Sequence, residues 1–173
     1  MTEPPKSGGA GFAGTGAEIG ESPPVSPGFL LWHGTLRWQR LIAAALRPLE
    51  LTHVQFVLLA VLWWFSEVRG ERPTQRALAD QAGTDRMMTS QVLRALEGRG
   101  LLERPQHPTD SRARELRLTP AGADLAVRAI EVVEGVDRAF FSTVPEEGGL
   151  EQTLQALAAL EPERPVPRNV TDG

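Results

Sequence analysis

Thr84, Arg86, Met87, Thr89, Ser90, Gln91 and Arg94 crowd one short stretch of the chain, and most of them suit recognition of base edges and phosphates. Arginine pairs bidentately with guanine and glutamine with adenine, while small hydroxyls meet either base edges or phosphate oxygens. A second group follows in the run HPTDSRAR, where Asp110 stands two residues before Arg112, with Arg114 beyond. A carboxylate at that spacing can hold the guanidinium extended, lowering the entropic cost of presenting it to a narrow groove. Taken alone, each group also fits a solvated helix face or a charged loop. Their succession, a polar helix surface followed at once by a basic loop, favours contact with duplex DNA through both grooves.

These groups require a helix-turn-helix and a hairpin to carry them. In PTQRALADQAG, Leu78 and Ala82 lie four apart with Ala79 beside them, a narrow apolar face that predicts a first helix. Gly83 supplies the backbone freedom of the turn. Thr84 is expected to cap the second helix, with Asp85 near the positive end of its dipole. Along TDRMMTSQVLRALEGRG, Met88, Val92, Leu93, Ala95 and Leu96 are expected to pack inward. Arg86, Met87, Ser90, Gln91 and Arg94 are left facing out, and Gly98 and Gly100 close the helix. Residues 101–104 and 115–118, bounded by Pro105, Pro108 and Asp110, read as paired strands around the basic tip.

Outside this head the pattern is helical. Leu30, Leu31, Gly34, Trp38, Leu41, Ala45 and Leu46 recur at helical spacing, with Arg37, Arg40 and Arg47 as outer charges. Thr52 starts a second apolar helix that reaches about Val68. Thr119-Pro120 opens a long helix over residues 121–141, striped by Leu125, Ala129, Val132, Val133, Val136 and Phe140. Pro145 and Gly148-Gly149 break it, and residues 150–160 form a last helix with Leu154, Leu157 and Leu160 apolar.

The run DSRARELRLTPAG, residues 110–122, resembles the D-x-R-x-x-x-L-x-L-T-x-x-G signature of the MarR family of winged-helix transcription regulators. LTHVQFVLLAVL resembles that family's second helix, and LEGRGLLER its exit from the reading helix into the wing. The resemblance spans roughly residues 29–160 in the expected order. It implies a mainly α fold with a small β-hairpin wing (α+β): a winged helix-turn-helix with N- and C-terminal dimerisation helices. On that reading one domain covers residues 28–161, with a DNA-reading core at 72–118 and dimerisation helices at 29–47 and 119–160. The resemblance also implies a homodimer on successive major grooves of a pseudo-palindrome, Arg112 at the wing tip in the minor groove, and a small extra strand near residues 70–72. Met87-Met88 departs from the usual pattern, which has a small or polar residue at the first position. Met87 either touches a thymine methyl or packs under the helix-turn-helix.

Composition agrees with one domain between loose ends. The first 27 residues hold five prolines and six glycines with almost no bulky apolar residues, which reads as a flexible tail rather than a signal peptide. Residues 162–173 read as a second tail. No run approaches the ~18 apolar residues of a membrane span, so a cytoplasmic protein is expected. The net charge of −4 is unevenly spread. Residues 72–117 carry nine arginines against six acids, +3, which leaves −7 elsewhere and favours one orientation on a polyanion. The single lysine beside many arginines fits a GC-rich bacterial genome.

Cysteine is absent, which removes disulfides, thiol nucleophiles and cysteine-based sensing. The histidines 33, 53 and 107 are scattered, and no nucleophile–base, H-E-x-x-H or phosphate-loop pattern occurs. An enzyme, a cofactor and a metal are therefore not expected.

The resemblance further implies release of DNA by a small anionic ligand, often aromatic or phenolic, bound between the dimerisation helices and the winged domain. All four tryptophans, 32, 38, 63 and 64, fall on the first two helices, where each is either a core residue or a pocket wall. His33, Arg37, Trp38, His53 and Trp64 are the candidate pocket residues, since a guanidinium or imidazole at its lip pairs with a carboxylate or phenolate. The favoured reading is a dimeric, ligand-responsive, DNA-binding regulator, expected to repress. The alternative is a winged-helix dimer acting mainly as a protein-interaction module, which would not need arginines 86, 94, 112 and 114 on one face.

Overall fold

The computed structural model describes residues 26–106, 115–142, 144 and 149–159. The expected tails and the hairpin tip, 107–114, lie outside these residues. The chain divides into two units, one ending at Thr35 and one starting at Leu36. In the first, Ser26 opens helix α1 (Pro27–Leu46), its hydroxyl accepting the Phe29 N–H at 3.2 Å. Phe29, Leu30, Leu31 and Trp32 in that unit each leave more than half of their surface exposed.

In the second unit α1 continues through Ile42 and Leu46, both fully buried, and a 3-10 turn at Arg47–Leu49 follows. Helix α2 (His53–Trp63) is opened by a capping box. The Thr52 hydroxyl accepts the Gln55 N–H at 3.2 Å, and the Gln55 side chain accepts the Thr52 N–H at 3.0 Å. Its sequence, HVQFVLLAVLW, is apolar on nearly every side, and such a helix belongs at the centre of a fold. Leu58, Leu59 and Leu62 are fully buried, and α2 packs against α3 (Gln75–Ala82), α4 (Arg86–Gly98) and chiefly α5 (Pro120–Phe141). The α-helical hydrogen bonding ends sooner than expected, at Trp63, and a wider π turn covers Trp64–Val68. The Arg69 guanidinium lies 5.3 Å from the Trp64 ring centroid and 5.7 Å from that of Phe65.

Thr74 caps α3 through the Ala77 N–H at 3.2 Å, and Gly83 ends it in the left-handed region at φ 63°. Strands β1 (Leu102–Glu103) and β2 (Arg117–Leu118) pair antiparallel, Leu102 opposite Leu118 and Glu103 opposite Arg117. They are half the expected length because the chain diverts early. Pro105 has no N–H to give, its carbonyl accepts the Glu115 N–H at 3.1 Å, and the Leu116 N–H turns to the Pro73 carbonyl at 3.0 Å. The small extra strand near residues 70–72 is reduced to one antiparallel bridge between Thr74 and Glu115. Helix α6 (Leu150–Ala158) follows α5.

Thr119 and Gly122 join the reading head to α5. The Thr119 hydroxyl accepts the Gly122 N–H at 3.1 Å and donates to the Gly100 carbonyl at 2.7 Å, while its own N–H reaches the Leu101 carbonyl at 3.1 Å. A Cβ on Gly122 would fall 2.8 Å from the Leu101 carbonyl carbon and closer still to its oxygen. Only glycine lets the first turn of α5 lie against that backbone. The Thr and Gly of the L-T-x-x-G run therefore hold one junction. Among the described residues no single helix is long and apolar enough to cross a membrane.

Candidate nucleic-acid interface

Helix α4 is fastened by one face and open on the other. Leu93 and Leu96 are fully buried, and Val92 packs against the core. At about 100° per residue, Met87, Gln91 and Arg94 fall within about 60° of one another on the opposite side. Gln91, Arg94 and Arg86 are exposed, Ser90 is half-buried at the flank, and Met87 exposes 73% of its surface. Met87 therefore does not pack under the helix-turn-helix. Met88 and Ala95, expected inside, are exposed, since both lie at the edge between the two faces.

The cap is Asp85 rather than Thr84: its carboxylate accepts the N–H groups of Met87 and Met88 at 2.8 and 3.0 Å. Thr84 has another use. Its hydroxyl lies 2.8 Å from that of Thr89, and Thr89 Oγ1 donates to the Asp85 carbonyl at 2.7 Å. Thr89, expected among the DNA contacts, is fully buried, so its hydroxyl holds the turn and faces no ligand. Thr84, half-buried and engaged there, is likewise a turn residue first. The wing residues Asp110, Arg112 and Arg114 lie outside the described residues.

The positive charge counted from the sequence is only partly free for an anion. Arg104 pairs with Glu97 (Nε donates to Oε2 at 2.8 Å), Arg72 lies 3.6 Å from Glu115, and Arg99 donates to the Glu50 carbonyl at 2.8 Å. Arg86 and Arg94 make no ion pair among the described residues. Arg94 lies within the outward stripe of α4 and Arg86 beside it, and both guanidiniums are available to phosphates.

Of the candidate pocket residues, the structure brings two together. The Trp38 and His53 rings lie 5.0 Å apart, edge to face, both half-buried. Asp137 on α5, which the sequence did not single out, accepts the Trp38 Nε1–H at 2.7 Å. Its signal was its place right after Val136, at the rim of the apolar stripe. Burial pushes the His53 imidazole below its ordinary value, with the Asp137 carboxylate pulling the other way. Trp64 is occupied elsewhere, edge to face with Phe65 at 5.2 Å and under Arg69. Arg37 is exposed. His33 belongs to the first unit and lies 4.2 Å from the Phe29 ring. Among the described residues no group of three or more His, Asp or Glu is placed to hold a metal ion.

The family model described as MarR family matches residues 51–113. An HTH-type transcriptional regulator of Bacillus subtilis, YdcH, is 42% identical over 135 residues, 78% of this chain and 91% of its own length. The transcriptional repressor CouR, solved bound to a 23-mer DNA duplex, superposes with a TM-score of 0.65 at 28% identity, covering 77% of this chain and 90% of its own. BpsR of Bordetella bronchiseptica, whose DNA binding is regulated by 6-hydroxynicotinic acid, shares the fold at a TM-score of 0.70 and 20% identity, over 79% and 95% of the two chains.

Proposed function

The chain belongs to the MarR family and is a transcription regulator rather than an enzyme, and from that premise we propose that it acts as a homodimeric repressor released from a pseudo-palindromic operator by a small aromatic ligand. The observation that carries the DNA contact is the outward stripe of α4, where Met87, Gln91 and Arg94 line one side of a helix whose first turn is fixed by Asp85. Docked with its N-terminal end in the major groove, α4 offers Gln91 to base edges and Arg86 and Arg94 to guanine or phosphate. The wing, with Asp110, Arg112 and Arg114, would follow into the adjacent minor groove.

Support for the dimer comes from apolar surface that one copy leaves uncovered: Leu41 on α1, Val132 on α5, and Leu154 and Leu157 on α6. Support for the ligand comes from the Trp38–His53–Asp137 cluster. The Asp137 carboxylate accepts hydrogen bonds, which suits a phenolic hydroxyl. Titrating hydroxylated aromatic acids while following tryptophan fluorescence and DNA release tests this, and a panel without response would sink it.

The DNA reading is tested by footprinting the purified protein on the region upstream of its own gene, across a salt series. The expected result is a protected pseudo-palindrome with half-sites about one helical turn apart, whose affinity falls steeply with salt. No protection at low salt, together with no duplex enriched from a random library, would overturn it.

A further inference from the structure

We propose that Met87 reads a pyrimidine C5-methyl group in the major groove. Each half-site would then carry a thymine at one step, and 5-methylcytosine would be accepted in its place. The inference rests on the DNA-reading function proposed above and names part of its specificity.

Met87 exposes 73% of its surface although its neighbour Met88 exposes 38%. It lies on the line of Gln91 and Arg94, in the first turn of α4, held by the Asp85 carboxylate through its own N–H. That turn is the end of a reading helix that enters the groove. Gln91 and Arg94 carry donors for base edges, but a thioether reads almost nothing by hydrogen bonding. Buried against polar edges, Met87 would strip them of water without replacing it. Against a methyl group it gains contact, and its unbranched, polarizable chain adapts to the position. Among the four bases only thymine presents such a group in the major groove. A methyl on cytosine C5 stands in the same place, so the chemistry recognised is the methyl and not the base.

The test begins with a duplex selected from a randomised library by the full chain. Each thymine is then replaced by deoxyuridine, which removes only the methyl. One step in each half-site is expected to lose about fourfold in affinity, the worth of burying one methyl. A 5-methylcytosine pair there should bind better than an unmethylated cytosine pair. Met87→Ala is expected to erase the uracil effect and Met87→Leu to keep it, while Arg94→Ala weakens thymine and uracil duplexes alike. The side chain is exposed, so neither Met87 variant should alter the unfolding midpoint. Absence of any uracil-sensitive step, or one that persists in Met87→Ala, overturns the proposal while leaving DNA reading intact. If the chain enriches no duplex at all, the DNA reading fails, and this proposal with it.

Discussion

Replacing Gly122 by alanine is expected to destabilise the protein by about 3 kcal/mol, against the usual gain from putting alanine in a helix. The new Cβ would fall 2.8 Å from the Leu101 carbonyl carbon and closer still to its oxygen, nearer than real Cβ contacts come. The obstacle is main chain and cannot rotate aside, so the cost sits at the upper end of the ~1–3 kcal/mol typical of overpacking. Moving it also strains the Thr119 N–H bond to the Leu101 carbonyl, now 3.1 Å, worth about another 1 kcal/mol. Alanine's helix propensity offsets about 1 kcal/mol. For a chain of 173 residues the net loss lowers the melting temperature by about 6–12 °C. Thermal and urea unfolding at one fixed protein concentration would measure it, since association shifts the midpoint. Gly135→Ala in the same helix is the control: only the Arg138 side chain comes within 4.0 Å, so it should stabilise by ~0.5–1 kcal/mol. A Gly122→Ala protein as stable as its parent, or two substitutions shifting stability the same way, would refute the reasoning.

Thr89→Val removes a buried hydroxyl from Thr84 and the Asp85 carbonyl, and should cost about 1–2 kcal/mol of stability in a urea titration. Its DNA affinity measured well below the melting point should stay unchanged, which a base-contacting residue would not allow. If Arg94 meets phosphate rather than guanine, Arg94→Ala should weaken binding to every duplex and reduce the slope of log affinity against log salt by about 1, read from a salt series. For His53, burial depresses the folded-state value, so on acidification the unfolded chain takes up the proton first. Its contribution to stability is complete above the ordinary histidine value of 6.5 and falls as pH drops below it toward the depressed folded value. His53→Gln should flatten that part of a plot of urea midpoint against pH.

The helices and their order were legible because capping hydroxyls and apolar periodicity coincide. Thr52 and Thr119 sit where each chemistry demands. Thr84 and Asp85 were not separable from sequence, since either can cap a helix and only the backbone decides which carries the β-region conformation at the boundary. Thr89 reads as polar and outward, yet its hydroxyl can return to a carbonyl four residues back, and burial then carries no penalty. Ala95 and Met88 were misplaced because small or flexible residues at a helix edge fit either side. Asp137 escaped notice because its partner, Trp38, is 99 residues away and only tertiary packing brings the two together.

With Thr119 and Gly122 fastened to the chain that leaves α4, any swing of the long helix about Leu101 would carry α4 with it. Its 22 residues make an arm of about 33 Å, against about 20 Å for the 13 residues of α4. Turned as one rigid body, a sideways displacement of about 3 Å at Phe141 is a swing of about 5°, which carries the Met87 end of α4 by about 2 Å. A shift that size exceeds what a hydrogen bond to a base edge tolerates. In the proposed dimer, small movements where the arms of two copies meet would thus be geared into loss of register at the groove.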